Sequence, residues 1–147
     1  ARAIIPTIIL QILSGKKKIK LGNTHSTRDL SFIDDTVDGF IAALKKNTPG
    51  EIINLGNGLD ISIKNLAQLI AREMSVKIEI ITDKKRVRPK KSEVDKLRSN
   101  NKKAKKILKW QPKYKNTKGL IKGLSKTIEW FSNEENLENY KSNLYNI

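Results

Sequence analysis

Apolar runs of helical length alternate along this chain with apolar runs too short for a helix, and that alternation constrains its fold most. Residues 4–13 carry Ile4, Ile5, Ile8, Ile9, Ile12 and Leu13 at the spacing of one wide helical stripe. Pro6 fits only a first turn, so the helix starts near Ile5, and Ser14-Gly15 ends it. Ile19-Lys20-Leu21 reads as a short strand, and residues 30–33 as a second. A helix capped by Asp34 or Asp35 then carries Val37, Phe40, Ile41 and Leu44 on one face. Residues 51–55 read as a strand and Gly56-Asn57-Gly58 as a turn. The next helix is capped by Ser62, with Leu66, Leu69, Ile70 and Met74 inward. Residues 77–81 alternate as a strand, and residues 83–94 form a basic loop without periodicity. A short helix covers Ala104, Ile107 and Leu108 until Trp110-Gln111-Pro112 breaks it. A final amphipathic helix over 117–131 turns Leu120, Leu124, Ile128 and Phe131 to one side. No internal repeat is present. The order predicts a mixed α/β fold with short strands and about five helices, without the long βαβ alternation of a complete doubly wound sheet.

The chain has 147 residues, the size of one domain. Residues 1–132 read as that domain, and residues 133–147 as a polar, acidic tail able to extend a helix. With no cysteine, disulfides, Cys-ligated zinc and thiol catalysis are excluded. No apolar run approaches the ~18 residues of a membrane span. The chain opens on Ala1 without a basic-then-apolar leader, so the expectation is a cytoplasmic fragment of something longer. Net charge is +15, and residues 84–106 hold twelve Lys or Arg against Glu93 and Asp95, which points toward anionic partners.

Two short segments carry the chemistry. In Thr27-Arg28-Asp29-Leu30-Ser31-Phe32-Ile33-Asp34-Asp35, Arg28 stands at the entry to a strand. Its planar, permanently charged fork suits phosphate oxygens, although pairing with Asp29 or Asp35 would explain it more plainly. In Arg86-Val87-Arg88-Pro89-Lys90-Lys91-Ser92-Glu93-Val94, Pro89 stiffens a basic loop, and Glu93 could accept from a ribose hydroxyl. Gly56 and Gly58 lack the third glycine of a dinucleotide loop and read as a turn. His25 is the only histidine and sits in a polar loop, which leaves little for a catalytic triad or a His-based metal site. Asp34-Asp35 reads as a helix cap rather than a metal pair. Trp110 and Trp130 are expected to bury apolar area.

Taken in order, these pieces resemble the C-terminal portion of the extended short-chain dehydrogenase/reductases, and within them the NAD-dependent nucleotide-sugar 4,6-dehydratases and epimerases. Thr27 through Asp35 resembles the family's Arg-Asp-x-x-x-Val-x-Asp signature. Arg88-Pro89 through Glu93-Val94 resembles the Arg-Pro-x-x-Ser-Glu-Val segment of dehydratases acting on N-acetylglucosamine nucleotides. Leu108-Lys109-Trp110-Gln111-Pro112 resembles Leu-Gly-Trp-x-Pro, with Lys109 in place of Gly. Glu51-Ile52-Ile53-Asn54-Leu55-Gly56 resembles the strand that returns to the family's main sheet.

The resemblance implies a small substrate-binding lobe without the N-terminal Rossmann domain, its missing partner. Arg28 and Arg88 would hold a diphosphate, Glu93 a ribose, and Arg2 the sugar-phosphate side. Ile19, Lys20 and Leu21 would shape the base pocket, largely through backbone. The ligand would be a nucleotide sugar of the dTDP-glucose or UDP/GDP-N-acetylglucosamine type. NAD would belong to the full-length enzyme, a homodimer, with none bound by this fragment. The family's Tyr-x-x-x-Lys pair and other catalytic motifs are expected to be absent, leaving the fragment inactive alone and only marginally stable. Two other classes stand beside this one. Residues 84–106 could form a basic nucleic-acid-binding surface, although they lack interleaved aromatics for base stacking. The stripe from Leu120 to Phe131 could pair with an outside helix.

Overall fold

The structure, a computed structural model, describes residues 3–87, 89 and 92–137. In chain order the helices are α1 (Ile4–Leu13), α2 (Ile33–Lys46), α3 (Ile63–Glu73), α4 (Asn116–Ser132) and α5 (Glu134–Leu137). The strands are β1 (Lys18–Leu21), β2 (Thr27–Asp29), β3 (Asp60–Ser62), β4 (Glu79–Thr82) and β5 (Lys96–Leu97). A 3₁₀ turn covers Lys84–Arg86 and a wide helical turn covers Ala104–Leu108. The chain divides into two units. Unit 1 comprises Ala1–Ser26, Ser62–Val94 and Leu124–Ile147; unit 2 comprises Thr27–Ile61 and Asp95–Gly123.

Unit 1 is organised by apolar burial. Helix α1 is buried continuously from Thr7 to Ile12, as a helix apolar on nearly every side must be. It packs on α3, whose Leu66, Ala67 and Ile70 are fully buried. Strands β1 and β4 pair in parallel with Ile19 opposite Ile80. Ser62 caps α3 as its sequence predicts, accepting from Asn65 N at 3.2 Å. Gln11, on the buried face of α1, closes the other edge of β1. Its Oε1 accepts from Lys20 N at 2.8 Å, and its Nε2 donates to Lys20 O at 3.2 Å. Gly22 follows β1 because a Cβ there would stand 2.2 Å from the Arg86 carbonyl oxygen.

Unit 2 holds the three-stranded sheet β3-β2-β5, with β2 and β5 parallel at Thr27↔Lys96 and Arg28↔Leu97. The strand expected over residues 30–33 lies instead at Thr27–Asp29, and Ile33 already begins α2. Asp34 and Asp35 do not cap α2. Phe32 holds the cap position without a side-chain bond, and the two acids sit in the first turn, where the helix dipole favours negative charge. Residues 51–55 have no strand partner among the described residues, and Ile52 is 82% exposed. The small core gathers Ala104, Leu108 and Trp110 against Ala42, Ala43, Ile53, Leu55 and Ile107.

The apolar stripe of α2 faces outward: Val37, Phe40, Ile41 and Leu44 are all exposed. In α4, by contrast, Leu120, Leu124 and Phe131 are buried, which removes the stripe proposed for an outside helix. Trp130, expected to be buried, is 45% exposed, with its ring edge-on to Phe131. Among the described residues no helix is long and apolar enough to cross a membrane.

Candidate functional site

Asp29 organises the ground around Arg28. Its Oδ1 accepts from Asn57 N at 2.8 Å, and its Oδ2 from Gly58 N at 2.8 Å and Ser99 N at 3.0 Å. One carboxylate therefore ties β2 to the turn at 56–58 and to the segment after β5. Each bond to a charged acceptor contributes about 1.5–3 kcal/mol. Asn57 adds donations from Nδ2 to Leu30 O at 3.4 Å and Tyr114 O at 3.2 Å. Asn101 Nδ2 donates to Gly56 O at 2.5 Å, and Ser99 Oγ to Asn101 Oδ1 at 2.9 Å. Gly56 is required here because a Cβ would meet Ser99 Cβ at 2.4 Å and Asp29 Oδ2 at 3.1 Å. That glycine is thus explained by close packing of the chain on itself, and the turn offers no dinucleotide cradle.

Arg28 is half-buried in the central strand of this sheet, and its Nη1 donates to Thr27 O at 2.7 Å. Asp35, the other acid weighed as its partner, is fully buried and engaged elsewhere. It accepts from Lys113 N at 2.6 Å and Tyr114 N at 3.0 Å. Both acids thus spend their oxygens on backbone N–H groups. Sequence reasoning missed these roles, and the only signal was their place in the Arg-Asp and Asp-Asp pairs at either end of one short segment.

Other expected site residues lie in unit 1. Ile19 and Leu21 fill its core, while the Lys20 side chain is exposed and the Lys20 peptide is taken by Gln11. Glu93 is half-buried. Arg2 and Arg88 lie outside the described residues. Among the described residues, no group of three or more His, Asp or Glu could hold a metal ion. His25 is exposed, and its backbone N–H donates to Asn23 Oδ1 at 2.9 Å.

One expectation is corrected by the sequence itself. A Tyr-x-x-x-Lys spacing is present, at Tyr114 and Lys118. Its setting is not that of a proton-transfer pair. Tyr114 precedes α4, and Asn116 between the two has φ +63°. The Tyr114 hydroxyl donates to Asp34 Oδ2 at 3.2 Å, and its ring rests on Phe32 with centroids 4.5 Å apart. The ammonium above that ring belongs to Lys122, at 5.7 Å, while Lys118 is exposed.

Comparison with known proteins places this arrangement. The human dTDP-D-glucose 4,6-dehydratase is 31% identical over 95% of this chain, which spans 39% of that protein. A solved dTDP-glucose 4,6-dehydratase from Bacillus anthracis, in complex with NAD, superposes with a TM-score of 0.75 at 26% identity. The match covers 93% of this chain and 40% of that one. A UDP-glucose 4-epimerase from Thermotoga maritima, solved with UDP-glucose, gives 0.75 at 27% identity, covering 92% and 40%. The chain therefore spans well under half the length of the curated relatives it matches. The family model for GDP-mannose 4,6 dehydratase matches residues 2–122, and the chain belongs to that family.

Proposed function

We propose that this chain is the substrate-binding portion of an NAD-dependent nucleotide-sugar 4,6-dehydratase or 4-epimerase, with Arg28 gripping the diphosphate of the nucleotide sugar. The observation that carries the reading is the division of labour at Arg28-Asp29. The acid fixes three backbone N–H groups and so makes the ground rigid; the base next to it is held half-buried in the central strand. A guanidinium partly withdrawn from water and set on a rigid element binds a diphosphate more strongly than an exposed lysine would. Holding the diphosphate orients the sugar for chemistry done elsewhere. By resemblance, Arg88, Arg2 and Glu93 serve the same ligand, and β1 at Ile19-Lys20-Leu21 serves the base. At β1 the open group is the Lys20 side chain, since Gln11 occupies that peptide.

NAD, the Tyr-x-x-x-Lys chemistry and the reaction itself belong, on this reading, to a dinucleotide-binding portion of a longer, cytoplasmic, homodimeric enzyme. Unit 2 supports such a partner: the apolar face of α2 and Ile52 are exposed. An extended segment without a strand partner among the described residues, beside an apolar helix face, suits docking on a sheet. In a protein carrying both portions, Arg28→Ala raises KM for the nucleotide sugar roughly 10–100-fold, the loss of one charge-assisted contact. An unchanged KM would remove Arg28 from the site.

A further inference from the structure

Unit 2 contains a cleft of about 580 Å³ in which Arg28 and Glu93 take no part. Arg98, Lys102, Lys105 and Lys115 line it, and among the described residues no acid does. Its size is that of a small-molecule site. The basic residues nearby fall into two groups. Lys96 pairs with Asp60 at 3.6 Å, Lys113 with Asp38 at 2.6 Å, and Lys103 with Glu51. By contrast, Lys102, Lys105 and Lys115, all exposed, form no ion pair among the described residues. The lysines with acidic partners lie outside the cleft lining, and those within it have none.

Two residues of the lining also carry unmatched buried polar atoms. Trp110 is only 7% exposed, and its Nε1–H has no hydrogen-bond partner among the described residues. Asn57 Oδ1, buried on the same wall, has none either. Both atoms are buried, so they stand behind the basic lining and not on its accessible surface.

We propose that this cleft binds a phosphorylated small molecule, its phosphate oxygens taken by Arg98, Lys102, Lys105 and Lys115, beside the Trp110 indole. A phosphate ester fits better than a carboxylate. It brings up to two negative charges and three acceptor oxygens to several donors, where a carboxylate brings one charge and two oxygens. This site is separate from the role of Arg28, because among the described residues none of those proposed for the nucleotide sugar lines the cleft.

Inorganic pyrophosphate is the probe, titrated into the whole chain at fixed ionic strength while the two tryptophan indole N–H resonances are followed by NMR. Trp130→Phe assigns them. The Trp110 resonance moves saturably and that of Trp130 does not. The exposed-site variant Lys102→Gln/Lys105→Gln weakens the binding at least ~10-fold, roughly the loss of one charged contact, and Arg98→Gln does so independently. A Trp110 resonance that stays put, or drifts equally with sodium chloride, would show a water-filled cleft under solvated lysines and overturn the proposal. So would a short oligodeoxythymidine moving it where pyrophosphate cannot, which would make the surface a nucleic-acid site.

Discussion

Helices α2 and α3 carry the same kind of apolar stripe and end in opposite surroundings. In α3, Leu66, Ala67 and Ile70 are 0% exposed; in α2, Val37, Phe40 and Leu44 are 47%, 63% and 81% exposed. Unit 1 closes on itself through side chains. Unit 2 instead buries Asp35 and Gly39 from the inner face of α2 and is tied together by carboxylates that hold backbone N–H groups. An apolar stripe thus reports that a helix has a partner, and not that the partner lies within the same chain.

The largest expected effect sets the two helices against each other. Leu66→Ala in α3 costs about 2–5 kcal/mol, as truncation of a fully buried leucine does. Phe40→Ala in α2 stays within about 0.5 kcal/mol, the range of an exposed site. Urea midpoints of the two variants check this, and similar losses would mean that the face of α2 is covered. Second is Asp35→Ala, which strands the Lys113 and Tyr114 N–H groups and costs about 2–3 kcal/mol. If that variant melts with the parent chain, the carboxylate does not hold unit 2 together.

The smallest effect is a pH dependence. The hydrogen bond to Asp38 first, and its charge second, raise the Lys113 ammonium above its ordinary 10.5. A raised folded value means that this contribution is present in full below about pH 10.5 and fades as pH climbs through the shifted value. Lys113→Gln should therefore lie slightly below the parent in stability at neutral pH and converge with it in strong alkali. A gap that persists at high pH would assign the loss to packing.

Much of unit 1 was legible in the sequence because burial there follows period. The six-residue stripe of α1, the Ser62 cap and the short β1 all follow from local spacing. Unit 2 was less so. Residues 51–55 have strand composition, but a strand needs a neighbour, and the described residues supply none. Lys96–Leu97 is too short to announce itself and becomes a strand only beside Thr27–Asp29. Asp29 and Asp35 look like surface acids until residues 28, 70 and 78–79 positions further on bring their N–H groups to them. Arg28 was singled out by its segment, whereas the basic residues of the cleft, brought together from positions far apart in sequence, had no linear signature beyond the charge run.

Calorimetry isolates the role of Arg28. UDP, dTDP and GDP, each with its nucleoside, are titrated into the chain carrying Lys102→Gln/Lys105→Gln, which weakens the basic cleft, with and without Arg28→Ala. A diphosphate should bind at least ~10-fold tighter than its nucleoside, and Arg28→Ala should sharply reduce that preference. Equal affinities for diphosphate and nucleoside, or a preference indifferent to Arg28→Ala, would contradict the diphosphate role of Arg28.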